Sequence, residues 1–165
     1  MKVDVRDFLK SDGNSLDIEF DNKIEYLDSV DSEISFEKPV NFSGKAVNVS
    51  GVIKLDGNLV AEYTTKCIRC LKDITRNMNI KIREDIQSPS SDVAAEAYTY
   101  SDNYFDLDKI LTDNIILNLP MKNVCKDACK GLCPVCGTDI NETECGCRVD
   151  NIDPRMEALK GFFKE

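Results

Sequence analysis

Eight cysteines and no histidine restrict most sharply what this 165-residue chain can become. Six of the eight lie in "CKDACKGLCPVCGTDINETECGC", residues 125 to 147, and the other two are Cys67 and Cys70 in "KCIRCLK". Thiols at this density cross-link, cycle between redox states, or hold metal. Structural disulfides need an oxidising compartment. The first ten residues, "MKVDVRDFLK", carry charges throughout and no apolar run of the ~7 to 15 residues that a secretory signal requires, which predicts a cytosolic protein with reduced thiols. A thioredoxin-like pair wants its CxxC between a strand and a helix, whereas "CIRC" lies between two strand-like runs. Iron–sulfur ligation by four cysteines stays chemically open. Zinc fits best: without histidine it must be held mainly by thiolates, and four protein ligands leave no position for water, so its work would be structural.

The spacings propose how the thiols divide. In "CPVCG" a two-residue spacer lets a tight turn aim Cys133 and Cys136 at one ion, and Gly137 permits the backbone to turn around it. Cys145 and Cys147 follow in "CGC", and the intervening "GTDINETE" is long enough for a short loop or small hairpin. Cys67 and Cys70 form a second CxxC, while Cys125 and Cys129, on one helical turn, would face the same way. Proximity in sequence therefore favours two tetrads, Cys67, Cys70, Cys125 and Cys129 against Cys133, Cys136, Cys145 and Cys147. An interleaved division (67, 70, 145, 147 against 125, 129, 133, 136) and a single zinc with spare thiols remain open.

Around the cysteines the pattern is β structure first and helix later. "SLDIEFD" and "ISFEKPVNFSG" read as early strands, with Pro39 marking an edge or a break. "VNVSGVIKL" puts Val47, Val49, Ile53 and Leu55 on one face at period two, and Asp56–Gly57 reads as the hairpin turn into "NLVAEYTTKC". "MNIKIRE" resumes the alternation with Met78, Ile80 and Ile82 inward and Asn79, Lys81 and Arg83 outward, which places Cys67–Cys70 at a turn between strands. "QSPSSDVAAEAY" reads as a surface crossing. "FDLDKILTDNIILNLP" then reads as a helix with Asp106 or Asp108 at its start, packed through Leu107, Ile110, Leu111 and Ile115, and stopped by Pro120. In the tail, "DPRMEALKGFFKE" offers Asp153 as N-cap, Pro154 at the first helical position and an apolar stripe of Met156, Leu159 and Phe163. The expected fold is α+β: an antiparallel meander or partly open barrel over residues 1–120, then a cysteine-rich zinc-binding segment and terminal helix over 121–165.

Charge sharpens the choice of partner. The formal net charge of −9 argues against a chain that coats nucleic acid by charge alone. Yet Lys66, Arg69, Lys72, Arg76, Lys81 and Arg83 face one acid, Asp73, in their stretch, and residues 84–120 hold eight acids against Lys109. The basic strip serves either to neutralise thiolates or to contact RNA phosphates.

Taken together, "KCIRCLK" in a β region, an acidic amphipathic helix ending in "LP", "CKGLCPVCGTDIN", "CGC" and "DPRMEALKGF" resemble the YceD family of large ribosomal RNA subunit accumulation proteins, from about Glu62 to the end. The resemblance implies a bacterial cytosolic protein, not an enzyme, that supports accumulation of 23S ribosomal RNA and large-subunit assembly, with a link to a small zinc-ribbon protein of that subunit. Carried over by position, its signature is Cys67, Arg69, Cys70, Gly131 to Gly137, Asn141, Cys145, Cys147, Asp153, Pro154 and Arg155. Two physical versions follow: the basic strip with Lys126 and Lys130 contacts ribosomal RNA, or the acidic stretch from Asp92 to Asp113 holds a basic ribosomal protein. A function of another class is a dithiol redox or zinc-sensing protein using Cys67 and Cys70.

Overall fold

The computed structural model describes residues 1–24, 27, 33–89 and 97–147, in two compact units. Met1–Lys66 with Asp73–Asn123 forms the first, and Cys67–Lys72 with the chain from Val124 onward forms the second. The second unit is therefore not one contiguous segment. Six of its residues come from the connection between two strands of the first.

The first unit is built on β1 (Lys2–Asp4), β2 (Ser15–Asn22), β3 (Ile34–Ser35), β4 (Val40–Val49), β5 (Val52–Lys66), β6 (Asp73–Gln87), β7 (Tyr98–Thr99), β8 (Tyr104–Asp106) and α1 (Leu107–Asn118). Strands β2, β4, β5 and β6 make the expected antiparallel meander; β7 adds to β6 in parallel, β3 pairs with β5, and β1 pairs with β8 in a separate ribbon. The sheets are not closed among the described residues, and α1 is the one helix there. Pro39 sits just before β4 and separates it from β3, as its missing N–H requires. Ile80 and Ile82 are buried on β6 while Lys81 and Arg83 face water, in the predicted alternation. On α1 the Asp106 carboxylate accepts from the Asp108 N–H, 3.2 Å away, and Leu107, Ile110, Leu111 and Ile115 enter the core. They join Phe20, Phe42, Leu55, Leu59 and Ile86 there, each burial stabilising by ~1.5–3 kcal/mol. The tail expected to be helical, residues 153–165, lies outside the described residues, as do 90–96 of the expected crossing.

One turn is not where the sequence put it. Asp56 and Gly57 lie inside β5, opposite Lys45 and Gly44, and the hairpin between β4 and β5 is made by Ser50 and Gly51. Both residues take positive φ, 53° and 83°, as a two-residue primed turn demands. Asp12 Oδ1 accepts the Ser50 N–H at 2.6 Å, and Asn48 Oδ1 accepts the Gly51 N–H at 3.1 Å. This shifts the inward set of β4: Asn48 is buried and Val49 exposed, the reverse of the expected face. Burial of Asn48 is satisfied by donation to the Phe8 and Ser11 carbonyls, at 3.3 and 3.0 Å, which ties the loop after β1 to the sheet.

Gly57 serves packing instead of turning. It faces the core opposite Gly44, and the Phe42 ring lies across the pair; a Cβ on Gly57 would stand 2.5 Å from that ring and 2.8 Å from the Gly44 Cα. Gly57→Ala should therefore lower stability by ~1–3 kcal/mol through overpacking, and Phe42→Leu in the same chain should recover part of the loss. Denaturant unfolding of the two variants checks this; a Gly57→Ala protein as stable as the parent would show that the notch is not filled by the ring.

Candidate metal centre

In the second unit the eight sulfurs gather in two groups. Cys67, Cys70, Cys125 and Cys129 form one, and Cys133, Cys136, Cys145 and Cys147 the other, with the sulfurs of each group all within 4.8 Å of one another. This is the grouping that sequence proximity favoured over the interleaved one. In the first group Cys70 and Cys125 are 3.7 Å apart and Cys67 and Cys129 4.0 Å apart, sulfur to sulfur. A disulfide needs ~2.05 Å, and all eight cysteines are free. A tetrahedral centre with ~2.3 Å metal–sulfur bonds sets its sulfurs ~3.8 Å apart, so the donor set matches a thiolate-bound metal in number, type and spacing.

The two CxxC turns share one backbone design. In the first, the Leu71 N–H donates to the Cys67 carbonyl at 2.9 Å and the Cys67 N–H to the Lys72 carbonyl at 2.8 Å. In the second, the Gly137 N–H donates to the Cys133 carbonyl at 2.8 Å and the Cys133 N–H to the Thr138 carbonyl at 2.8 Å. Each ring needs positive φ at the residue after the second cysteine, 74° at Gly137 and 60° at Leu71. Glycine announced the positive φ of the second turn; the first turn was expected from its flanking strands, but not its positive φ at Leu71, because leucine disfavours that conformation and holds it only where the surroundings impose it. The Cys125–Cys129 stretch differs from expectation as well. It is a turn, closed by the Cys129 N–H on the Lys126 carbonyl at 3.0 Å, rather than a helical turn.

Crowding sets the thiol chemistry. Burial alone would raise the Cys67 thiol, but the backbone N–H groups of Cys70, Arg69 and Cys125 outweigh it and bring the pKa down to about 6. Cys125, hydrogen-bonded to Cys129 and partly buried, is pushed up to about 12. The second group repeats the contrast: the Thr138 hydroxyl and backbone bring Cys136 to about 6, while contact with Cys136 and burial push Cys147 to about 12. Four such sulfurs can all be thiolates only around a cation, which is what a metal ion would supply.

Neighbouring polar groups hold this frame. The Arg69 guanidinium donates from Nη1 to the carbonyls of Asp127, at 3.0 Å, and Cys129, at 2.9 Å, clamping the first CxxC to the turn that bears the other two sulfurs. The Arg69 carbonyl accepts the Leu132 N–H at 3.0 Å, and Gly131, at φ 79°, passes so close that a Cβ there would meet that oxygen at 2.8 Å. Asn141 donates from Nδ2 to Cys129 Sγ at 3.5 Å and accepts the Lys130 N–H at 2.9 Å. Asp139 accepts from the Asn141 side chain and backbone at 2.6 and 2.9 Å, and its other oxygen pairs with Lys72 Nζ at 2.9 Å. Lys72 and the Asn141 amides hold the Asp139 carboxyl down to about 2, and Glu142 with Asp139 raises the Lys72 ammonium. Asn141 was marked by the family resemblance; Asp139 carried no signal of its own, being one acid in a polar loop.

The six basic residues proposed for RNA are divided between the two units. Arg69 and Lys72 belong to the second unit, and Lys66, Arg76, Lys81 and Arg83 to the first. Lys66 pairs with Asp73 at 2.7 Å and Arg83 with Asp56 at 3.1 Å, so these two, like Arg69 and Lys72, have intramolecular partners. On β6, Lys81 and Arg83 share the outward parity, whereas Arg76 shares that of Ile80 and Ile82. No helix among the described residues is long and apolar enough to cross a membrane.

With this geometry in hand, the relatives are informative. The profile of the family described as large ribosomal RNA subunit accumulation protein YceD matches residues 55–163, which include every cysteine. Uncharacterized proteins of Mycobacterium bovis and Mycobacterium tuberculosis are each 31% identical over 119 residues, covering 68% of this chain and 56% of the relative. A Zea mays protein named as a chloroplastic large ribosomal RNA subunit accumulation protein YCED homolog 1 is 27% identical over 159 residues, 76% of this chain and 54% of that protein. The chain thus spans little more than half the length of these curated relatives, and no solved structure matches it. The eight cysteines in their two tetrads fall within the stretch that the family profile covers, and the chain belongs to the YceD family.

Proposed function

We propose that this chain is a non-enzymatic, cytosolic ribosome-biogenesis factor that promotes accumulation of 23S ribosomal RNA and assembly of the large subunit, with two structural zinc ions held by its two cysteine tetrads. The ribosomal half of this reading rests on family membership. The zinc half rests on four sulfurs within 4.8 Å of one another in each group, two pairs of the first group standing at 3.7 and 4.0 Å, a donor set with no position left for water or substrate. The zinc would act as folding energy for the second unit, which has little regular structure of its own among the described residues. A dithiol redox function would need an accessible attacking sulfur, and Cys67 is wholly buried.

Charge favours a basic large-subunit protein as the direct partner. The net charge of −9 attracts cationic chains, and Lys66, Arg69, Lys72 and Arg83 of the proposed RNA strip are already engaged within the protein. Holding such a protein until it meets ribosomal RNA would raise RNA accumulation indirectly.

Two measurements test these statements. Elemental analysis of the reduced protein should find about two zinc ions per chain, Cys70→Ser should lose at least one, and chelation should lower the unfolding temperature; a fully folded chain with no metal would remove the zinc reading. Filter binding at two salt concentrations should show steeply salt-dependent capture of basic large-subunit proteins and only weak capture of large-subunit RNA fragments. Tight RNA binding abolished by Arg76→Glu with Lys81→Glu would instead make RNA the direct partner.

A further inference from the structure

The loop between the two halves of the second tetrad touches the first. Residues 137–144 are bounded by Cys136 and Cys145, yet Asn141 of that loop donates to Cys129 Sγ, a member of the other tetrad. The orientation of the Asn141 amide is fixed, because its oxygen accepts the Lys130 N–H. Asp139 holds the amide from one side and is itself held by Lys72, two residues after Cys70. A continuous relay thus runs Cys129–Asn141–Asp139–Lys72, beginning and ending beside ligands of the first tetrad and passing through the loop of the second. The main chain adds a parallel link, from the Leu132 N–H, next to Cys133, to the Arg69 carbonyl, between Cys67 and Cys70.

We propose that the two tetrads form one coupled metal-binding unit, in which metal at Cys133, Cys136, Cys145 and Cys147 orders the loop that delivers Asn141 as a positioning residue to the Cys67, Cys70, Cys125, Cys129 centre. The proposal rests on the zinc reading above and adds to it the order and the interdependence of loading. The second tetrad closes short stretches of chain, whereas the first must bring together sulfurs 58 residues apart, Cys67 and Cys125, so the second fills first at lower loop-closure cost. Once both of its ends are pinned, the 137–144 loop offers its amide to Cys129 without further loss of freedom. A hydrogen bond to a ligating thiolate of this kind typically tunes affinity ~10–100-fold. Because coupling between two sites is reciprocal, metal at the first centre strengthens the second by the same factor.

The test is titration of the reduced, metal-free full chain with Co²⁺, read by the sulfur-to-cobalt absorption band, with Zn²⁺ affinities from chelator competition. Disabling the second tetrad with Cys136→Ser and Cys147→Ser should weaken the first ~10–100-fold, and Cys67→Ser with Cys70→Ser should weaken the second equally. Asn141→Ala should shrink this factor severalfold and move the first centre's band to longer wavelength, since the thiolate loses a donor. Lys72→Gln, which touches no sulfur, should do the same more weakly, and the double variant should cost little more than Asn141→Ala alone. Equal affinities with and without the other tetrad would overturn the coupling, and a factor undiminished in both Asn141→Ala and Lys72→Gln would overturn the relay. Both results would leave two zinc sites standing. Failure of the eight thiols to take up any metal would remove the coupling and the zinc reading together.

Discussion

The repulsion among thiolates is the constraint on which the second unit depends. Four sulfurs drawn within 4.8 Å of one another cannot all carry charge without a cation among them, and the raised thiol of Cys125, set against Cys129, expresses that conflict. The surrounding backbone is arranged around the conflict. Around the two hydrogen-bonded CxxC rings backbone N–H groups face Cys67 and Cys136, Arg69 ties two turns together, and Asn141 brings a further donor. By contrast the first unit is held by ordinary apolar burial between the inner sheet face and α1. One chain therefore joins two unlike sources of stability. Cys67–Lys72, inserted between β5 and β6, belongs by sequence to the region of the sheet and by contacts to the cysteine-rich unit.

Much of this was legible in the residues, and the failures have physical causes. Period-two alternation in "MNIKIRE" and the cap and stop signals of "FDLDKILTDNIILNLP" report burial and hydrogen bonding that are local, so β6 and α1 emerged correctly. The grouping of thiols followed chain proximity because short closures cost least. Asp56–Gly57 misled because a glycine next to aspartate is also what a crowded core demands, and only the Phe42 ring, on the neighbouring strand, distinguishes the two uses. Asn48 could not be read as a buried residue, since its partners are backbone carbonyls of the loop after β1. Nor could the basic strip be seen to be largely paired: Asp56 and Asp139 meet Arg83 and Lys72 only after folding.

The ion pairs also alter what the net charge means. A sequence count treats each lysine and arginine as available to a partner, but Lys72 and Arg69 spend their donors on the frame of the first tetrad. Thiolates around divalent metal would leave each centre negative, so the cations beside them belong to the local electrostatics of the centre before they belong to any surface. An exposed charge and a structural one look alike in composition.

The relay through Asn141 bears finally on the order in which the protein comes into being. As the chain is synthesised, Cys67 and Cys70 emerge well before Cys125, and all four sulfurs of the first tetrad are out by Cys129. The amide that faces Cys129 lies twelve residues further on. The buried centre therefore has its ligands before it has its support, and its final form waits for a part of the chain made later than any of its sulfurs.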